Sequence, residues 1–182
     1  MNEERFKTEL NQLITIKRIL QDDKILPLRF DIERLTLDHR RFKVTIRGIT
    51  SLIVGSSSSF PMTANNFPIR IEVPSGYPWH AIPSIRFESP IPFHPHVFTH
   101  GGICWGTGNS PNPDLTISDW IRGVVEYLQY NQDQASMLKI NPSSPANREA
   151  LNWWQQNNGS IRRYIPPIDM ARFRVWINRT RG

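Results

Sequence analysis

Phe93-His94-Pro95-His96-Val97-Phe98-Thr99-His100-Gly101-Gly102-Ile103-Cys104-Trp105 divides the chain in two. From Leu28 to Phe87 apolar residues recur at every second position, and from Ile117 to Leu128 at every third or fourth. The stretch itself, with the wider run 89–115, follows neither period. It gathers three of the five histidines, the only cysteine and two adjacent glycines. A loop this long inside a compact domain commonly carries function.

Upstream, four runs alternate apolar and polar residues. Leu28, Phe30 and Ile32 alternate with Arg29, Asp31 and Glu33, and Phe42, Val44 and Ile46 with Lys43, Thr45 and Arg47. Phe67, Ile69, Ile71 and Val73 form a third row, and Ile85 with Phe87 a short fourth. Turn residues separate them: Asp38-His39, the polar loop Gly55-Ser56-Ser57-Ser58-Ser59, and Pro74-Ser75-Gly76. Short links and one polar face predict an antiparallel meander. Ahead of it, Phe6, Leu10, Leu13, Ile14 and Leu20 predict an amphipathic helix over Glu3–Gln21, ended by Asp22-Asp23 and Pro27.

Downstream, Ile117, Ile121, Val124, Val125 and Leu128 predict a second helix, with Thr116 and Asp119 as a capping pair. Ser144-Pro145, a cap followed by proline at the first helical position, predicts a last helix running through Trp154. The fold class is α+β: an N-terminal helix, a four-stranded antiparallel meander, a long active-site loop and two C-terminal helices.

With 182 residues, 38% hydrophobic and 21% charged, the chain suits one domain and an extension. No run approaches the ~20 apolar residues of a membrane span, and Met1-Asn2-Glu3-Glu4-Arg5-Phe6 is not a secretory signal. A lone cysteine cannot close an internal disulfide, so a cytoplasmic location is expected. The net charge is +6, and six arginines against Asp169 place +5 of it in residues 158–182. The division is therefore a nearly neutral domain, 1–157, and a basic extension, 158–182. That distribution argues against a chain-wide nucleic-acid surface. In the extension Phe173, Val175 and Ile177 alternate with Arg172, Arg174 and Trp176, a strand pattern. Its apolar residues either pack back onto the domain or meet a partner, with Arg172 and Arg174 facing an acidic protein surface.

Three readings compete for the loop. Cys104 is a small buried hydrophobe among polar loop groups. Alternatively His96, His100 and Cys104, with His94 or His80, ligate zinc, although paired Cys-x-x-Cys arms are absent and Gly101-Gly102 breaks any helix aligning them. Or Cys104 is a nucleophile, acting as its thiolate. No histidine follows Cys104, so a Cys–His hydrolase lacks its downstream partner.

Tyr77-Pro78-Trp79 with Pro83, then His94-Pro95-His96, then Gly101-Gly102-Ile103-Cys104 resembles the ubiquitin-conjugating enzymes. That family carries a proline-aromatic motif, a His-Pro-Asn tripeptide and a Gly-x-Ile-Cys segment in this order. Ser110-Pro111 with Leu115-Thr116-Ile117-Ser118, and Asn141-Pro142-Ser143-Ser144-Pro145, resemble the segments leading into its second and third helices. The resemblance covers about residues 3–157. It implies that Cys104 carries a ubiquitin-like protein as a thioester, received from an activating enzyme and passed to a target amine, with no cofactor and no metal. His94 and Pro95 would shape the loop, with His100 beside them. His96 stands where the family has its catalytic asparagine, as an oxyanion donor or a general base. Ser144 stands at the family's acidic position, Trp79 at its ligase-contacting aromatic, and Asn109 where it has tryptophan. These departures are similar to members from bacterial ubiquitin-like conjugation operons of antiviral type. A catalytically inactive scaffold of the same fold is the alternative, which the presence of Cys104 disfavours.

Overall fold

A computed structural model describes residues 3–36, 40–53, 61–105, 110–136 and 139–180. The turn expected at Asp38-His39, the Gly55–Ser59 loop, Asn109 and Arg181 lie outside the described residues. Helix α1 spans Glu3–Asp22 and buries Phe6, Leu10, Leu13, Ile16 and Leu20. Ile16, not Ile14, completes its inward face. Asp23 ends it, its carboxylate accepting from the Ile25 and Leu26 N–H groups at 2.8 and 3.1 Å.

Strands β1 (Arg29–Arg34), β2 (Arg41–Ile53), β3 (Met62–Glu72) and β4 (Ser84–Phe87) form an antiparallel sheet in sequence order. The period-two rows meet across it: Phe30 opposes Ile46, Phe42 opposes Ile71, and Ile71 opposes Ile85. All are buried, because the register that pairs the backbones also puts every apolar row on one face. The other face carries cross-strand ion pairs, Arg47–Asp31, Arg41–Glu72, and Lys43 and Arg70 on Glu88. Such exposed pairs contribute about 0–1 kcal/mol each, so the buried face is what fixes the sheet.

The second helix, α2 (Ile117–Leu128), opens on the expected box: Thr116 Oγ1 accepts from the Asp119 N–H, and Asp119 accepts from the Thr116 N–H at 2.8 Å. Every residue of α2 except Arg122 is buried. Its N-terminus is tied to α1 by Glu9, a carboxylate only 2% exposed. Glu9 accepts from the Ile117 N–H at 2.9 Å, the Tyr77 hydroxyl at 2.7 Å and Arg5 at 2.7 Å. A carboxylate at a helix N-terminus is favoured by the helix dipole, and here it also joins the proline-aromatic turn to both helices.

Helix α3 runs Arg148–Asn157, so the expected start at Ser144-Pro145 is corrected. Asn147 is the cap, accepting from the Ala150 N–H at 3.0 Å. The reason is tertiary: the N–H groups of Ala146 and Asn147 both donate to the Pro95 carbonyl, which holds residues 141–147 out of the helix.

The extension is corrected too. After α3 the chain forms a 3₁₀ turn, Asn158–Arg163, and a further helix, α4 (Met170–Arg179), not a strand. Among the described residues the downstream part thus holds three α-helices, one more than the sequence pattern predicts. Asp169 caps α4 by accepting from the Arg172 N–H at 2.9 Å. Met170, Phe173 and Ile177 fall on one face and are buried, while Val175 is 45% exposed. Six alternating residues fit either period, but the i, i+3, i+7 triple fits only a helix. Phe173 meets Phe30 edge-on at 6.0 Å, so α4 closes the main core against α1 and α2. Arg172 and the Trp176 indole N–H both reach Asp23, at 2.6 and 2.8 Å. Arg174 bonds Glu126 and Asp133 at 2.9–3.1 Å. These two arginines therefore hold α4 to the domain, where the sequence reading had them facing a partner. No helix among the described residues is long and apolar enough to cross a membrane.

Candidate functional site

Cys104 lies at the end of a tight hairpin that prolongs the sheet beyond β4. Val97 pairs with Ile103 and Gly102 with Arg86 as antiparallel bridges. The Cys104 N–H donates to the His96 carbonyl at 2.8 Å, and the Phe98 N–H to the Gly102 carbonyl at 2.9 Å. Gly101 makes the turn with φ +90° and accepts from the Phe87 N–H at 2.8 Å. A Cβ at position 101 would stand 2.2 Å from the Phe87 carbonyl oxygen. Gly101→Ala thus forces a φ that side chains disfavour by roughly 1–2 kcal/mol and separates the hairpin from β4. The variant should be destabilised by more than that torsional cost, read as a lowered urea midpoint. An unchanged midpoint would show that the hairpin is not held by this contact.

The thiol is half-buried. Next to it, Trp105 is buried and packs on Trp120 (5.1 Å, edge) and Tyr127 (6.0 Å, stacked). The Tyr127 hydroxyl donates to the Cys104 carbonyl at 3.2 Å. Burial, then the charge of a Cys104 thiolate, pushes the Tyr127 phenol up, so it remains a donor. Both backbone polar groups of Cys104 are thereby satisfied, and its side chain is the part left accessible.

His94 and His96 are 0% and 1% exposed. His94 packs between Tyr127 and Tyr130, with ring centroids at 4.5 and 4.7 Å, and its Nδ1 accepts from the His96 N–H at 3.1 Å. Tyr130 in turn donates to the Phe93 carbonyl. The His96 Nε2 accepts from the Asn141 N–H at 2.7 Å, which puts the ring proton on Nδ1, a buried atom with no partner. In this arrangement the His96 ring is enclosed and its Nε2 is taken by the Asn141 N–H, so the expected oxyanion-donor or base role would require that bond to open. The ring works as a strut between the loop and residues 141–147, which also accounts for the fixed position of the segment before α3.

Burial holds both imidazoles below the ordinary histidine range, His94 the more so because it is the more deeply enclosed, with His96 beside it adding to the effect. Their depressed pKa values mean that below about pH 6.5 the unfolded chain binds more protons than the native one. Stability should therefore be level above pH 7 and fall as pH drops, by up to ~1.4 kcal/mol per pH unit for each histidine. Urea midpoints between pH 7.5 and 5 measure this, and His94→Gln should flatten the curve. A midpoint that rises on acidification would contradict the buried neutral imidazoles.

The remaining sequence candidates are dispersed. His100 is exposed and stacks on Phe98 at 5.2 Å. Ser144 is exposed beyond the His96–Asn141 bond, and Trp79 is 61% exposed on the turn after β3. Arg172 and Arg174 belong to α4. The zinc reading required His96, His100 and Cys104 to converge, and among the described residues no group of three or more His, Cys, Asp or Glu side chains does so. Sequence reasoning missed Tyr127, Tyr130 and Asn141. The two tyrosines carry a signal, being three apart at the end of an amphipathic helix, whereas Asn141 contributes through its backbone and leaves none.

Comparison with known proteins points one way. A family model described as "Ubiquitin-conjugating enzyme" matches residues 32–165. Ubiquitin-conjugating enzyme 15 of Arabidopsis thaliana is 31% identical over 80 residues, covering 44% of this chain and 42% of that one. A second Arabidopsis thaliana conjugating-enzyme relative is 25% identical over 96 residues, 52% of this chain and 54% of its own. The chain thus spans about half the length of the curated relatives it matches. A solved structure described as a novel ubiquitin-conjugating enzyme superimposes with TM-score 0.54 at 20% identity, over 86% of this chain and 89% of that one, a likeness of fold.

Proposed function

The chain belongs to the ubiquitin-conjugating enzyme family, and from that premise we propose that Cys104 accepts a ubiquitin-like protein from an activating enzyme and passes it to a target amine. The observation that carries the reading is the contrast within one loop. His94, His96 and Trp105 are buried around Cys104, while Cys104 itself is only partly buried, on a backbone held at both polar groups. A cysteine kept for packing would be enclosed like its neighbours.

In the first step the Cys104 thiolate attacks the incoming thioester carbonyl and the activating enzyme's thiol leaves. The bond formed and the bond broken are alike, so the exchange is nearly balanced. In the second, an amine attacks the Cys104 thioester, an amide forms and the thiolate is released. No step needs a metal or organic cofactor. The protein contributes a fixed thiol, oriented by the hairpin and the Tyr127–Trp105 packing.

The reaction requires a free thiol, which supports a reducing, cytoplasmic setting. The departures at Ser144 and Asn109 support an origin in a bacterial ubiquitin-like conjugation operon of antiviral type, testable from the neighbouring genes: an activating enzyme, a small β-grasp protein and a deconjugating protease should adjoin this one. The function itself is tested by incubating the chain with activating enzyme, modifier and ATP. An adduct that collapses under excess thiol and maps by mass spectrometry to the Cys104 peptide is the expected result. A thiol-resistant adduct, or one mapping elsewhere, would overturn it.

A further inference from the structure

A lysine amine is protonated at neutral pH, its ordinary pKa being about 10.4, so attack on a thioester calls for a group to take its proton. Position 144 offers a serine hydroxyl and His96 is enclosed with its Nε2 occupied. His100 differs from both: it is exposed, and its ring nitrogens make no hydrogen bond among the described residues.

Three observations direct that ring toward the thiol. First, a Cβ built on Gly102 would stand only 2.8 Å from His100 Nε2, so the imidazole lies over position 102 in space that only glycine leaves free. Second, Gly102 and Ile103 are bridged in antiparallel pairing, which makes the segment extended. In extended chain residues two apart project to the same face, separated by roughly 7 Å. The Nε2 therefore occupies the face onto which the Cys104 side chain projects. Third, the ring is held there: it stacks on Phe98 with an interplanar angle of 18°, and its carbonyl accepts from Arg86 Nε at 2.8 Å. The same imidazole lines a groove of about 430 Å³ with Ile82, Phe98 and Arg86, walled by Ile103 and Trp105, the two residues that flank Cys104.

We infer that His100 is the proton acceptor for the amine that attacks the Cys104 thioester. This rests on the conjugating function proposed above. His100 Nε2 takes a proton from the lysine ammonium, and the lone pair so freed bonds to the thioester carbonyl carbon, the nitrogen of the adduct shedding its second proton to water. The tetrahedral adduct then expels the Cys104 thiolate with the amide formed, and the imidazolium returns its proton to thiolate or water. The charged groups around the ring are Arg86 on one side and, across the adjoining cleft, Arg70 with Glu88.

The experiment needs no natural modifier. The full chain is charged on Cys104 by thiol–thioester exchange with a synthetic peptide thioester, isolated, and discharged to lysine or to hydroxylamine, a weaker base already unprotonated at neutral pH. Charged His100→Gln and His100→Ala should release peptide to lysine ~10²-fold more slowly than the parent, with little change toward hydroxylamine. Added imidazole should restore lysine discharge in His100→Ala. Parent-like lysine rates in both variants overturn the inference. So does an equal loss toward both amines without imidazole rescue, the signature of a structural role. A Cys104 that takes no peptide at all would overturn the conjugating function instead, and this inference with it.

Discussion

Cys104→Ala is expected to abolish the thiol-sensitive adduct completely, and Cys104→Ser to leave either nothing or an ester that survives excess thiol. The effect is all-or-none because the chain holds one cysteine, so no second thiol can substitute. Serine keeps the geometry but not the chemistry, since its hydroxyl is a weak nucleophile without an activating base. Neither change should unfold the protein. What Cys104 gives the fold is its N–H to His96 and its carbonyl from Tyr127, and both survive a side-chain substitution. A half-exposed site of this kind costs within about 0.5 kcal/mol when changed. The check is a non-reducing against a reducing gel, with thermal midpoints of all three proteins alongside. A thiol-sensitive adduct on Cys104→Ala would remove the nucleophile from its role.

The parts of this molecule that could be read in advance are those whose cause is local. The period-two rows put Phe42, Val44 and Ile46 on the face they occupy, and Thr116 with Asp119 forms its box because a capping pair is decided by four consecutive residues. The failures share the opposite origin. Ser144-Pro145 has the composition of a helix start, yet the Pro95 carbonyl, some fifty positions upstream, takes the two N–H groups that set the boundary at Asn147. The row Arg172–Ile177 alternates, but Phe173 and Ile177 were chosen by the faces of α1 and α2 and the edge of Phe30. The site divides in the same way. Cys104 stands out in the sequence because its spacing from His94-Pro95 and its flanking glycines are local, and its role rests on the proposed function. The burial of His96 does not stand out, because an imidazole reads the same buried or exposed, and its bond to the Asn141 N–H comes from a backbone 45 positions away.

Truncation after Asn157 is expected to unfold the domain, a larger effect than the slowed charging that a free partner-binding tail would give. The segment removed buries Ile161, Ile165, Phe173 and Ile177 almost completely. At about 1.5–3 kcal/mol for each buried side chain, the loss is of the order of the ~5–15 kcal/mol that stabilises a typical domain. Electrostatics adds to it. Glu126, fully buried on α2, loses Arg174 at 3.0 Å and keeps Arg122 at 3.8 Å, while Asp23 loses both Arg172 and the Trp176 N–H. Breaking a buried pair by removing one partner is costly because the other charge stays behind. Single substitutions separate packing from charge: Phe173→Ala should cost about 3–5 kcal/mol, and Val175→Ser, on the exposed face of the same helix, within about 0.5 kcal/mol. Urea midpoints of the truncate and both variants measure all three. If the truncate kept the parent midpoint, α4 would be only loosely docked. Arg172 and Arg174 would then be free to meet an acidic partner, and the charge concentrated in this segment would again need an external explanation.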